Sequence, residues 1–334
     1  MTGKLQSRTV AGLARQAWSH VLRENDRVTQ WARTGKELLT FLTFLGNVIV
    51  NDNRFLAMAP RLPLDVVNLI IDDLAKHNDK LSSIKACALV CHSFLLLCRK
   101  HIFASVTLNA RQSSSPTSDD LNHLLSNSPH LAVYILNLDY YLSRSKKEFI
   151  ENRILWLLPM FKKLVNLQSL TISYCSYTLP RLKLDWMSSL ERKVLLPLLH
   201  LPTLTSISLA TIENFPIADL AGCVNLKSLE TYGLECSPDG VGEFLETLPP
   251  TPVMLERLFV NWGSTEFVQK SCHARRPDGK PIIDFSSLKE IESVEVQLYL
   301  MTELFGMCEN LHKITLTSMP PLSSYLFIHL ILLS

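Results

Sequence analysis

The sequence predicts a mixed α/β architecture: a short unit of three helices, then an irregular solenoid in which short strands alternate with helices. Between residues 59 and 108 apolar side chains recur at helical spacing and are broken by polar residues. Beyond residue 119 the pattern apolar-x-x-apolar-x-apolar returns seven times in under 190 residues, separated by helix-like stretches. Apolar residues make up 47% of the 334 and charged residues 19%, enough to build a core and too little charge for wholesale disorder.

Residues 1–58 read as an N-terminal extension, partly disordered or a helical lead-in. Residues 1–50 hold seven Lys/Arg against three Asp/Glu. Its apolar run Leu38–Val50 has only 13 residues and includes Thr40, Thr43, Gly46 and Asn47. A membrane-spanning helix needs about 20, so a buried segment is expected. The helical module follows at 59–108. Pro63 suits a first helical position, where its missing N–H costs nothing. Val66, Val67, Ile70, Ile71 and Leu74 then share one helix face, with Asp65, Asn68, Asp72 and Asp73 opposite. The polar break His77–Lys80 ends that helix. Ser82 or Ser83 can cap a second through Ile84, Cys87 and Leu89, and a third runs from Val90 through Phe94, Leu97 and Cys98 to Phe103.

Residues 109–118, polar and carrying Pro116, read as a linker, and 119–334 as the array. Its seven copies are assigned to Val133/Leu136/Leu138, Leu167/Leu170/Ile172, Leu204/Ile207/Leu209, Leu226/Leu229 (with Thr231 in the last place), Leu255/Leu258/Val260, Ile291/Val294/Val296 and Leu311/Ile314/Leu316. Helices are expected between them over Phe149–Leu164, Leu190–Leu199, Val241–Leu248 and Leu300–Leu311. A strand with alternate residues inward and a helix behind it bury neither face alone, so such units must stack.

The same reading narrows the chemistry. There is no G-x-G-x-x-G, G-K-[ST] or G-x-S-x-G, which removes the usual signals of nucleotide-binding folds and serine hydrolases. A net charge of +2 does not by itself point to nucleic acid or membrane. Eight scattered cysteines without a signal peptide or N-x-[ST] acceptor point to free thiols in a reducing compartment, cytoplasmic or nuclear. Cys87, Cys91, Cys98 and His101 invite a zinc reading. On a continuous helix, however, the first and last lie about 21 Å apart, too far to surround one ion. No metal or cofactor is expected. The cluster Cys272–Lys280 reads as a solvated loop, with contact to an acidic or phosphate group as the sharper alternative. Tyr141, Tyr174, Tyr232, Trp262 and Tyr299 lie at or just beyond the repeat strands, where they either line a target-binding surface or fill an irregular core.

From Leu62 to Phe103 the chain resembles the F-box family: Leu62-Pro63, then Asp65, an apolar helix through Ile70 to Leu74, and Leu89-Val90-Cys91 followed by Phe94. The later pattern, over 130–320, looks like leucine-rich repeats of the F-box-associated type, with degenerate fungal F-box proteins the most similar overall. The tryptophan common near the module's end is absent, with Phe103 close to its place, and only Cys175 meets the Asn/Cys ladder of regular repeats. The tail Tyr325–Ser334 lacks a polar cap. The resemblance implies a non-enzymatic substrate-receptor subunit of an SCF-type cullin ubiquitin ligase. Leu62, Pro63, Val67, Ile70, Leu74, Leu89, Val90 and Phe94 would meet the ligase's adaptor subunit, and the repeats would hold an unidentified protein target. The alternative is a repeat scaffold whose N-terminal helices serve only as a cap.

Overall fold

The computed structural model describes residues 64–76, 81–89, 92–109, 118–142, 158–174, 183–187, 189–237, 249–294, 301–317 and, as backbone, 327–331. These fall into two compact units that divide between Ile102 and Phe103. The N-terminal extension, residues 110–117 of the expected 109–118 linker, Val241–Leu248 and Tyr299 lie outside the described residues.

The first unit contains helices α1 (Leu64–Ala75), α2 (Leu81–Ala88) and α3 (His92–Ile102). Its core is Val67, Ile71, Leu74, Ile84, Cys87, Ala88 and Cys98. On α1 the buried positions recur at steps of four and three, the spacing that keeps side chains on one helical face. Across the unit Asp72 joins α1 to α3, with its Oδ1 2.7 Å from Lys100 Nζ and 2.8 Å from His101 Nε2. The hydrogen bond from Lys100 holds the Asp72 carboxyl below its ordinary range, against the opposing effect of burial.

The second unit is a mixed α/β arrangement with an open, eight-stranded parallel sheet. Its strands are β1 (Ser105–Asn109), β2 (Asn137–Leu142), β3 (Ser169–Tyr174), β5 (Ser206–Ala210), β7 (Ser228–Tyr232), β9 (Arg257–Asn261), β11 (Glu290–Val294) and β12 (Lys313–Thr317). They lie side by side in chain order, and β13 (Phe327–Ile331) pairs antiparallel with β12. Two-residue strands form small separate pairs, β4 (Leu184–Asp185) with β6 (Ile212–Glu213) and β8 (Val253–Met254) with β10 (Ile283–Asp284). The strand β1 shows that the end of the predicted 59–108 module belongs to the sheet.

The connections carry α4 (Ser118–Asn127), α5 (Leu190–Leu199), α6 (Thr265–His273) and α7 (Thr302–Met307), with 3-10 turns at Pro129–Tyr134, Ile217–Leu220 and Trp262–Ser264. The expected helix 190–199 is present as such. That at 300–311 is shorter, and α4 and α6 were not foreseen. One face of the sheet packs on these elements in a continuous core containing Leu138, Leu170, Ile207, Leu229, Leu258 and Ile291 in adjacent strands. Each fully buried aliphatic side chain contributes roughly 1.5–3 kcal/mol.

Two predicted registers are corrected. The first copy is Ile135/Leu138/Tyr140, all buried, whereas Val133 is exposed. Another is Leu288/Ile291/Ser293, not Ile291/Val294/Val296. In both places a neighbouring apolar residue imitated the pattern, and only pairing with the next strand fixes which one faces inward. Thr231 does occupy a core position. It is fully buried, and its hydroxyl donates to the Phe259 carbonyl at 3.1 Å, which satisfies the polar group.

The stack is held at each strand entry by a repeated backbone device. Two successive N–H groups, such as those of Thr205 and Ser206, donate to one carbonyl of the preceding unit, here Gln168. The same occurs at Leu136 and Asn137 onto Ala104, Lys227 and Ser228 onto Thr205, and Lys289 and Glu290 onto Glu256. The residue just before the first apolar position adds a side-chain rung. Asn166, Asn225 and Asn310 donate to the carbonyls of Val133, Pro202 and Ser286 at 2.9, 2.6 and 2.9 Å, and Thr203 donates to that of Val165 at 3.0 Å. Met254 holds the equivalent position with no donor and an exposed side chain. Met254→Asn is expected to add a rung to the Val224 carbonyl and stabilise the second unit by about 0.5–1.5 kcal/mol, measured as a higher urea midpoint with unchanged slope.

Candidate protein-docking surfaces

Two surfaces present groups that folding within their own unit leaves unused. The first belongs to the three helices. Leu89, just past the end of α2, is 87% exposed, and Leu69 on α1 is 66% exposed. Leu96 on α3 and Leu81 on α2 are also exposed. Three helices of 12, 8 and 11 residues cannot enclose all their leucines. On α1, burial of Val67, Ile71 and Leu74 turns Leu69 to the opposite side, with Asp65 and Asp73.

The predicted adaptor-facing set divides on this geometry. Among its described members Leu89 is the most open, and Ile70 and Phe94 are half-buried against the core. Val67 and Leu74 are corrected: both lie inside the unit, because they form the stripe on which α1 packs. Leu62, Pro63 and Val90 lie outside the described residues. Leu69 and Leu96 were missed because a helical stripe identifies the buried face and gives no weight to a leucine opposite it.

The second surface is the open face of the sheet. Alternation brings every other residue of each strand to it: positions 137, 139 and 141 of β2, 169, 171 and 173 of β3, and 228, 230 and 232 of β7. On β2 they are Asn137, Asp139 and Tyr141, and on β3 and β5 they are short and polar, Ser169, Thr171 and Ser173, then Ser206 and Ser208. From β7 to β11 they become charged and aromatic. Of the sequence-predicted aromatics, Tyr141 and Tyr232 are on this face. Tyr174 is corrected: it is buried on the core side with Leu170 and Ile172. The side chains of Trp262 and Tyr299 lie outside the described residues.

Tyr232 and Phe259 pack with ring centroids 4.6 Å apart and planes tilted by 31°. Strand register places Phe259 between Glu230 and Glu292. Burial raises the Tyr232 hydroxyl above its ordinary pKa, and the carboxylates of Glu230 and Glu292 push it further. A depression of about 170 Å³ at these strands is lined by Glu230, Arg257, Phe259, Glu290, Glu292 and Lys313, among others. That volume is below the roughly 300–1,000 Å³ of small-molecule sites, but it suits the tip of one side chain. Phe259, Glu230 and Glu292 were also missed. Correct register alone would have placed them on one face.

The remaining candidate chemistry resolves into structure. Arg276 is buried, and its guanidinium donates to the Thr251 carbonyl at 2.9 Å and to that of Pro249, so it holds a loop instead of offering itself to phosphate. His273 binds Glu303 at 2.8 Å. Burial pushes the Cys272 thiol up to about 11 and that of Cys236 to about 12. These thiols are protonated at neutral pH and lack the thiolate character that nucleophilic chemistry uses. Among the described residues no group of three or more His, Cys, Asp and Glu could hold a metal, and no helix is long and apolar enough to cross a membrane. No protein-family model matches the chain, and no curated protein matches it.

Proposed function

We propose that the chain is a substrate-receptor subunit of an SCF-type cullin ubiquitin ligase, with the N-terminal helices as an F-box and the parallel sheet with its helices as an irregular leucine-rich-repeat-like array that binds the target. The observation that carries this reading is the exposure of leucines from all three helices, above all Leu89, in a unit that has its own closed core. Apolar side chains that a small unit's own core leaves exposed are groups that a protein contact would bury. The order of parts, with the F-box-like residues before a regular stack of strands, supports the same reading. The ubiquitin chemistry then resides on other subunits, and this chain contributes binding only.

The test is co-purification of the full chain with the ligase's adaptor subunit. Leu89→Asp with Leu96→Asp places charge at two exposed positions, where a folded unit tolerates it. Adaptor capture is expected to fall by at least about tenfold, since each leucine buried on binding is worth more than the 1.4 kcal/mol that tenfold represents. The circular dichroism spectrum is expected to stay the same. Undiminished capture by the folded variant, or no capture by the unaltered chain, would sink the proposal and leave the helices as a cap.

A further inference from the structure

We infer that the open sheet face around Phe259 is the specificity site of the array, and that it selects targets by a lysine or arginine side chain laid over the Phe259–Tyr232 pair between Glu230 and Glu292. The inference rests on the reading of the array as the target-binding part, and it names the chemistry of the target.

Register carries the geometry. Glu230, Phe259 and Glu292 are direct cross-strand neighbours on β7, β9 and β11, and parallel strands lie about 4.8 Å apart. The two carboxylates therefore flank the ring, one strand away on either side. Among the described residues no cation forms an ion pair within 4 Å of either. On the preceding row, by contrast, Lys313 lies 3.5 Å from Glu290, which neutralises that acid. Arg257 stands on this row between Ser228 and Glu290, diagonal to Glu230 and Glu292 and not opposite them.

This arrangement is unfavourable for the sheet alone. Glutamate is a poor strand former, and two carboxylates about 10 Å apart on one face, two strand spacings, repel weakly unless a cation lies between them. Equivalent positions on β3 and β5 are Thr171 and Ser208, which shows that the fold does not require acids there. A cation over the ring relieves the repulsion and gains from the negative face of the aromatic. The depression of about 170 Å³ accepts a side-chain tip but no cofactor-sized ligand. An exposed, extended segment of another protein with one protruding basic residue supplies that group.

The experiment uses the full chain and fluorescent dodecapeptides that differ at one central residue: arginine, lysine, citrulline or glutamate. Citrulline keeps the shape of arginine and removes its charge. Fluorescence polarisation is expected to rank arginine and lysine at least tenfold tighter than citrulline, with glutamate weakest, and the gap should narrow as salt rises. Glu230→Gln with Glu292→Gln should abolish the preference, and Phe259→Leu should reduce it. Glu266→Gln with Glu309→Gln, an equal change of charge elsewhere on the unit, should leave it intact. Equal binding of the arginine and citrulline peptides, a preference that survives in the Glu230/Glu292 variant, or no binding of any peptide would each overturn the inference. Adaptor capture is read separately, so failure here with capture intact leaves the ligase proposal standing, and the reverse also holds.

Discussion

Asp219→Ala is expected to lower the stability of the second unit by about 3–5 kcal/mol, the usual cost of removing one partner from a buried ion pair. Asp219 lies in the 3-10 turn Ile217–Leu220 and is almost wholly buried. Its Oδ2 accepts from Trp186 Nε1 at 2.8 Å and from Arg192 Nε at 2.9 Å, and its Oδ1 accepts from Arg192 Nη2 at 2.8 Å. Removal of the carboxylate strands an indole N–H on a fully buried tryptophan and leaves the Arg192 guanidinium without its fork-shaped partner. Arg192 keeps some solvent access and recovers part of the loss, whereas Trp186 has none. Asp219→Asn retains one acceptor oxygen and is expected to cost less, roughly 1.5–3 kcal/mol.

The position of the residue also fixes the form of the loss. Trp186 packs on Phe215 at 5.4 Å between ring centroids, and Phe215 on Phe267 at 6.2 Å, so the cluster ties the connection before β5 to that after β9. In a stack where each unit touches mainly its neighbours, a weakened middle junction divides the unfolding. Urea titration followed by tryptophan fluorescence is expected to give a single transition for the unaltered chain and a broadened or double transition for Asp219→Ala. A single transition at an unchanged midpoint would show that the buried pair contributes little.

The contrast between Asp219 and the strands shows what the sequence could reveal. The inward residues of β3, β5, β7 and β9 were legible as Leu-x-x-Leu-x-Leu variants because a strand imposes a strict two-residue period and a core accepts only apolar or satisfied groups. Two copies slipped, at Val133 and Ile291, because β-period patterns repeat within themselves and local sequence does not contain the partner strand. The rungs from Asn166, Asn225 and Asn310 were also present in the sequence, directly before the first leucine of each copy. An Asn/Cys ladder at its customary place, further along the repeat, does not point to these positions.

The docking surfaces were less legible for a related reason. A helical stripe identifies what is buried, so Val67 and Leu74 were drawn into the adaptor-facing set, although burial withdraws them from it. Leu89 was named from the F-box resemblance, and it is 87% exposed. The group at Phe259 is assembled from three strands whose residues lie about 30 positions apart in the chain. No local window brings Glu230, Phe259 and Glu292 together. Asp219, Trp186 and Arg192 illustrate the same limit inside the core.

Gly222→Val tests the other side of the Asp219 cluster and is expected to cost about 3 kcal/mol, at the upper end for a side chain forced into a filled core. A Cβ on residue 222 would meet three ring atoms of His200 at 2.5–2.7 Å, closer than real contacts allow. The His200 ring cannot simply swing aside, because its Nε2 donates to the Asp219 carbonyl at 2.8 Å. The clash therefore propagates into the turn that positions the Asp219 carboxylate. Gly222→Ala adds only the Cβ and is expected to cost about 1–2 kcal/mol. If the ring is the obstacle, His200→Ala, itself destabilising through the lost hydrogen bond, should make the Gly222→Ala change nearly neutral. The double variant would then be more stable than the sum of the two single losses implies. Additive losses in that cycle would show that the His200 ring is not what excludes a side chain at 222.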